Sequence, residues 1–157
     1  MHTLNHTLED ALLEADGRYL SVSELSSLER YVHSYAARLN TYQQLRDQSE
    51  TLIKHALRQL AQEYPELIRQ HGQRCIYDMT EVVRYIALSI LRDDEIFFKE
   101  QMMSWLDTIL TAHRKTTQCT KAYQYLQAAI VDKLPATTSS LVRPFLEIVI
   151  NTLQSHA

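Results

Sequence analysis

The chain has 157 residues, 45% of them apolar, which suits one domain able to bury its own core without disulfides or metals. Only two Gly (Gly17, Gly72) and three Pro (Pro65, Pro135, Pro144) occur, far fewer than the turns of an all-β or doubly wound α/β chain consume, so the composition is that of an all-α protein. Sixteen basic against nineteen acidic residues give a net charge of -3 and a pI near 6.1, which excludes the broad cationic field that draws proteins to nucleic acid or acidic lipid.

No run approaches the roughly 18 to 20 apolar residues that span a bilayer. Met1 to Glu9 lacks the basic-then-apolar pattern of a signal peptide. A soluble intracellular protein is therefore expected, with Cys75 and Cys119 as free thiols. His2 and His6 form the one helical i, i+4 histidine pair, but the segment offers no carboxylate or third ligand beside it, so no metal site is expected. No Ser/His/Asp set, same-face carboxylate pair or Gly-rich phosphate loop is apparent, and no enzymatic turnover is expected.

In chain order, Leu4, Leu8, Ala11, Leu12 and Ala15 make a short helical stripe that stops at Gly17. Ser21 and Glu24 have capping-box spacing and open a long helix whose stripe runs from Leu25 through Leu28, Val32, Tyr35 and Leu39 to Tyr42. A second stripe, Leu52, Ile53, Ala56, Leu57, Leu60 and Tyr64, ends at Pro65, and a bend joining the two is expected between Leu45 and Ser49. A polar turn is expected at Gln70 to Gln73. Cys75 to Leu91 follows, with the broad apolar surface of a central helix.

Asp93 or Asp94 caps the next helix, which carries Ile96, Phe97, Met102, Met103, Trp105, Leu106, Ile109 and Leu110 and ends near His113, where Arg114 and Lys115 suit its dipole. Thr120 to Leu134 and Leu141 to Leu153 complete the set, the last with Ser140 as cap and Pro144 in its first turn. One short and about six longer helices describe a globin-like bundle behind an N-terminal helical extension, residues 1–20 of a single domain spanning 1–157. Haem fits this pattern poorly, since His113 is the one histidine near a proximal position.

Three blocks in order carry a resemblance: Ala15-Asp-Gly-Arg-Tyr-Leu-Ser21 with Glu24-Leu25; Leu52-Ile-Lys-His-Ala56 through Tyr64-Pro65; and Arg74-Cys75-Ile-Tyr-Asp78 with Arg84-Tyr85. The chain resembles the phycobiliproteins, the bilin-carrying subunits of phycobilisomes, and most of all their allophycocyanin-like members. The resemblance implies light harvesting, energy transfer or photoprotection through a covalently held linear tetrapyrrole of the phycocyanobilin type. It places the thioether on Cys75, hydrogen bonds from pyrrole N–H groups on Asp78, and a bilin propionate on Arg74. Cys75 and Asp78, at i and i+3, share a helix face, which suits those two roles.

Tyr77 stands where the family has a propionate-binding Arg, and Tyr77 and Arg84 complete the expected cofactor set. The segment between Pro65 and Cys75 is shorter than the family's chromophore-covering loop, and the Leu-Gly-x-Pro turn is absent between His113 and Gln118. Cys119 matches no family attachment position and is expected to be a buried structural thiol.

For assembly, the resemblance implies a dimer with an identical or related subunit, in which Glu14 of the extension pairs with Arg84 across the interface. Linker proteins and a bilin lyase are the further implied partners, with a cytoplasmic location at the thylakoid surface. The other reading is a chromophore-free or transiently loaded relative that serves phycobilisome assembly or regulation.

Overall fold

The computed structural model describes residues 5–113 and 115–156, with residues 103, 107 and 109–113 described by their backbone alone. His2, Leu4 and Arg114 lie outside the described residues, as do the side chains of Met103, Ile109, Leu110 and His113. Seven helices follow one another: α1 (His6–Glu14), α2 (Val22–His33), α3 (Tyr35–Glu63), α4 (Pro65–Arg92), α5 (Glu95–His113), α6 (Thr116–Lys133) and α7 (Ala136–Ser155). No strand occurs among the described residues, and the fold is the all-α, globin-like bundle expected.

Local signals set several boundaries: the Gly17 stop, the Ser21–Glu24 box and the Asp94 cap are as expected, and Asn5 is a cap the sequence reading did not single out. Asn5 caps α1, its Oδ1 accepting from Leu8 N at 3.0 Å, and Gly17 turns the chain with φ of 81°. The capping box at α2 is complete: Ser21 Oγ accepts from Glu24 N at 3.3 Å, and Glu24 Oε2 accepts from Ser21 N at 2.6 Å. Arg18 adds two bonds to the same carboxylate, at 3.0 and 2.9 Å. That guanidinium, with Ser21, holds the Glu24 carboxyl at about 2. At the α4–α5 corner, Asp93 takes the left-handed conformation that ends α4, and Asp94 Oδ1 accepts from Phe97 N at 2.9 Å to start α5.

Three boundaries differ from the sequence reading. The break in the first long segment falls at Ser34, and α3 is continuous where the bend was expected between Leu45 and Ser49. Arg38, 1% exposed, accounts for the break: its Nη2 donates to Tyr31 O at 2.6 Å, its Nε to Ser34 Oγ at 3.0 Å, and its Nη1 to Leu91 O. A carbonyl of the last turn of α2 is thereby held by a side chain, and the guanidinium stacks 4.2 Å from the Tyr31 ring. Beyond it, Thr41, Leu45, Leu52, Ile53, Ala56 and Leu60 form one buried stripe, which a bend would divide.

Helix α4 runs straight through the expected turn at Gln70–Gln73. Pro65 at its first position costs no hydrogen bond, and the roughly 1 kcal/mol that Gly72 costs a helix interior is offset by packing of Leu67 and Ile68 on the core. Helix α7 begins at Ala136, which puts Pro144 inside it and removes Ser140 from the cap position. Burial of Thr138 and Val142, with Ser139 Oγ donating to Ile130 O at 3.2 Å, ties this earlier start to α6. Helix α6 likewise starts at Thr116, earlier than Thr120.

The core lies among α3, α4, α5, α6 and α7, with α3 packed on α4, α6 and α7. Leu52, Ile53, Leu60, Ile86, Phe98, Leu126 and Leu146 are almost wholly excluded from solvent, each contributing about 1.5–3 kcal/mol by burial. Phe98 meets Phe145 edge to face at 5.1 Å. The helices α1 and α2 stand outside this core: neither has a buried residue within its span.

Candidate functional site

Where α4 faces the start of α6, the bundle leaves a cavity of about 60 Å³. From α4 it is lined by Leu67, His71, Arg74, Cys75, Asp78 and Met79, which recur at helical spacing on one face. From the α6 side come Lys115, Gln118, Cys119, Ala122 and Tyr123, at i, i+3, i+4, i+7 and i+8, and Leu60, Leu106 and Leu153 close its apolar floor. The continuity of α4 creates this wall, because the ten residues before Cys75 belong to the same helix.

The electrostatics centre on Asp78, which is 9% exposed. Arg74 Nε donates to its Oδ2 at 3.1 Å and passes 2.9 Å from Oδ1, off the line of a hydrogen bond. Oδ1 is buried and has no hydrogen-bond donor among the described residues, a costly condition for a carboxylate oxygen. Burial, with the Asp78 charge adding to it, pushes the half-buried Cys75 thiol up. Cys119 is pushed up to about 11, first by burial and then by Cys75 and Asp78. Both sulfurs therefore hold their protons at neutral pH and are weak nucleophiles.

Three of the expected cofactor residues, Arg74, Cys75 and Asp78, meet in this cavity. Tyr77 does not line it and is 59% exposed. Arg84 lies elsewhere on α4, exposed, paired with Glu81 and 5.4 Å from the Tyr85 ring centre. Glu14 is exposed at the end of α1. Sequence reasoning missed Lys115, Gln118 and Cys119 as wall residues. Their i, i+3, i+4 spacing was a signal, but the expected start of that helix at Thr120 left all three outside it.

A linear tetrapyrrole is much larger than this cavity, so only an edge of one would enter it. The chemistry of the walls fits such a group: a thiol, a buried acceptor lacking a donor, and apolar surface. Among the described residues no cluster of three or more His, Cys, Asp or Glu is arranged to hold a metal ion. No helix is long and apolar enough to cross a membrane, again among the described residues.

A second feature is the face of the N-terminal hairpin. Leu12, Leu13, Val22, Leu25, Leu28, Val32 and Tyr35 are all exposed, Val22 at 85%, forming an apolar surface along α1, α2 and the start of α3. The hairpin is latched to the bundle at the α4–α5 corner. Asn5 Nδ2 donates to Arg92 O at 3.2 Å and to Asp93 O, while His6 N donates to Asp94 Oδ2 at 3.1 Å. His6 Nδ1 lies 2.6 Å from that same Oδ2, a carboxylate partner 88 positions away that only the fold brings to it.

Comparison with known proteins agrees with this architecture. The family model described as "Phycobilisome protein" matches residues 11–153. Allophycocyanin subunit beta-18 of Synechocystis sp. is 31% identical over 98 residues, covering 57% of this chain and 58% of that relative's length. The allophycocyanin alpha-B chain of Cyanidium caldarium is 28% identical over 159 residues, covering 90% of this chain and 94% of its own. Allophycocyanin subunit beta-18 of Pyropia yezoensis is 24% identical over 146 residues, covering 85% and 86%. With helices, cavity and blocks in this order, the chain belongs to the phycobilisome protein family.

Proposed function

We propose that this protein is a phycobiliprotein-like subunit that holds a bilin at the α4–α6 cavity, attached through Cys75, for light harvesting, energy transfer or photoprotection. The observation that carries the reading is the half-buried Cys75 thiol beside a buried Asp78 oxygen that lacks a donor, in a cavity with apolar walls. When bound, a bilin supplies absorption of visible light through its conjugated tetrapyrrole. Cys75 fixes the ligand's position, and Asp78 Oδ1 accepts N–H groups that would otherwise be desolvated without a partner. Arg74, half-exposed on a flexible stem, is free to leave Asp78 for a ligand carboxylate. The helices around the cavity restrict the ligand's motion, which suppresses loss of excitation as heat.

Because burial keeps Cys75 protonated, attachment calls for an external base or a bilin lyase. The exposed apolar hairpin supports assembly with an identical or related subunit, with Glu14 and Arg84 as the proposed cross-interface pair and linker proteins as further partners. A cytoplasmic position at the thylakoid surface follows from that role.

Co-expression with a phycocyanobilin-producing pathway and a lyase tests the reading. The purified protein is expected to absorb visible light and to give a zinc-fluorescent band after denaturation, lost in Cys75→Ala and kept in Cys119→Ala. A folded but colourless protein with several bilins overturns the pigment role and leaves an assembly or regulatory subunit.

A further inference from the structure

We propose that Lys115 is the cation that receives a ligand carboxylate at the α4–α6 cavity, an inference that rests on the bilin reading above. Asp78 is the one carboxylate among the described wall residues, and Arg74 occupies it. Lys115, half-buried at the entrance to α6, makes no ion pair with any described residue. The wall thus carries two cations and one anion, and the unmatched charge is Lys115. An anion entering the cavity meets this ammonium with no counter-ion among the described residues to displace.

The arrangement selects a ligand with two recognition ends. N–H donors supply the hydrogen bond that Asp78 Oδ1 lacks on the α4 side, and a carboxylate meets Lys115 from the α6 side. A bilin, with pyrrole N–H groups and two propionates, has both. Tyr77 cannot bind a carboxylate by charge and does not line the cavity, so Arg74 and Lys115 are the wall cations open to a ligand's two propionates, and of these Lys115 has no protein carboxylate to give up among the described residues. Lys115 offers a compact charge on a flexible stem, able to follow a propionate that is itself mobile.

The test is non-covalent binding of phycocyanobilin and of its propionate dimethyl ester to the Cys75→Ser protein, by equilibrium dialysis. Lys115→Ala is expected to weaken binding of the diacid about 10-fold, with Lys115→Arg close to the parent and Lys115→Glu weaker still. The ester is expected to bind the parent and Lys115→Ala alike. Lys115→Gln repeats the measurement with the side-chain volume retained, and each variant's unfolding midpoint reports its fold. Equal diacid binding by Lys115→Ala and the parent, or equal binding of acid and ester by the parent, overturns the assignment while the bilin reading stands. No binding of either compound by the parent overturns both.

Discussion

The N-terminal hairpin and the five-helix bundle are built by opposite means. The hairpin is held by local devices: the Asn5 cap, the Ser21–Glu24 capping box, the Arg18 bonds to Glu24, and Gly17 at positive φ. Leu12, Leu13, Val22, Leu25, Leu28 and Val32 are exposed, and no residue within the spans of α1 or α2 is buried. The bundle has weaker caps: α3, α4, α6 and α7 begin without a side-chain capping bond, yet their stripes interlock into one apolar cluster. Local hydrogen bonds can thus position an element whose apolar face stays largely exposed. Burial, in contrast, tolerates poor caps, an internal Pro144 and an in-helix Gly72.

The contrast is tested most severely in the core. Phe98→Ala, which empties a fully buried site and removes the edge-to-face contact with Phe145, is expected to lower unfolding free energy by about 3–5 kcal/mol in chemical denaturation. On the hairpin, Val22→Ser with Val32→Ser is expected to leave monomer stability within about 0.5 kcal/mol. The same pair is expected to shift the protein toward monomer in sedimentation by about 10-fold or more in dissociation constant. Glu14→Ala and Arg84→Ala are expected to act in the same direction, and an unchanged dimer in all three variants breaks the comparison.

The smallest effect concerns the latch between the two regions. The hydrogen bond to Asp94, assisted by the Asp94 and Glu100 charges, raises His6 above its ordinary 6.5. A raised folded-state value means that this stabilisation is complete below pH 6.5 and is lost as pH rises through the folded-state value. The thermal midpoint is therefore expected to fall slightly across that window, and His6→Gln is expected to remove that slope; an unaltered slope in the variant disproves the latch.

Much of the fold was legible in the sequence because helical periodicity, Ser21–Glu24, Gly17 and Asp94 act within a few residues of one another. The break at Ser34 was not, since it depends on Arg38 reaching Leu91, 53 positions away. The same holds for the 70–73 segment, where the local signals of Gly72 and its polar neighbours favoured a turn and packing of Leu67 and Ile68 favoured a helix. At the site, Arg74, Cys75 and Asp78 were readable as a block on one helix. Lys115 and Cys119 were not, because nothing in their own segment indicates which part of α4 they face.

The sequence alone determined an all-helical chain and the neighbouring thiol and carboxylate of α4, properties set by composition and by spacing along one helix, while its family was legible as a resemblance carried by three sequence blocks. Tertiary structure decided that Asp78 keeps one oxygen without a donor, that Lys115 and Cys119 share its cavity, that Tyr77 does not, and that His6 finds Asp94. These outcomes depend on which residues distant in the chain are desolvated together, and burial is a property of the packed bundle rather than of any segment within it.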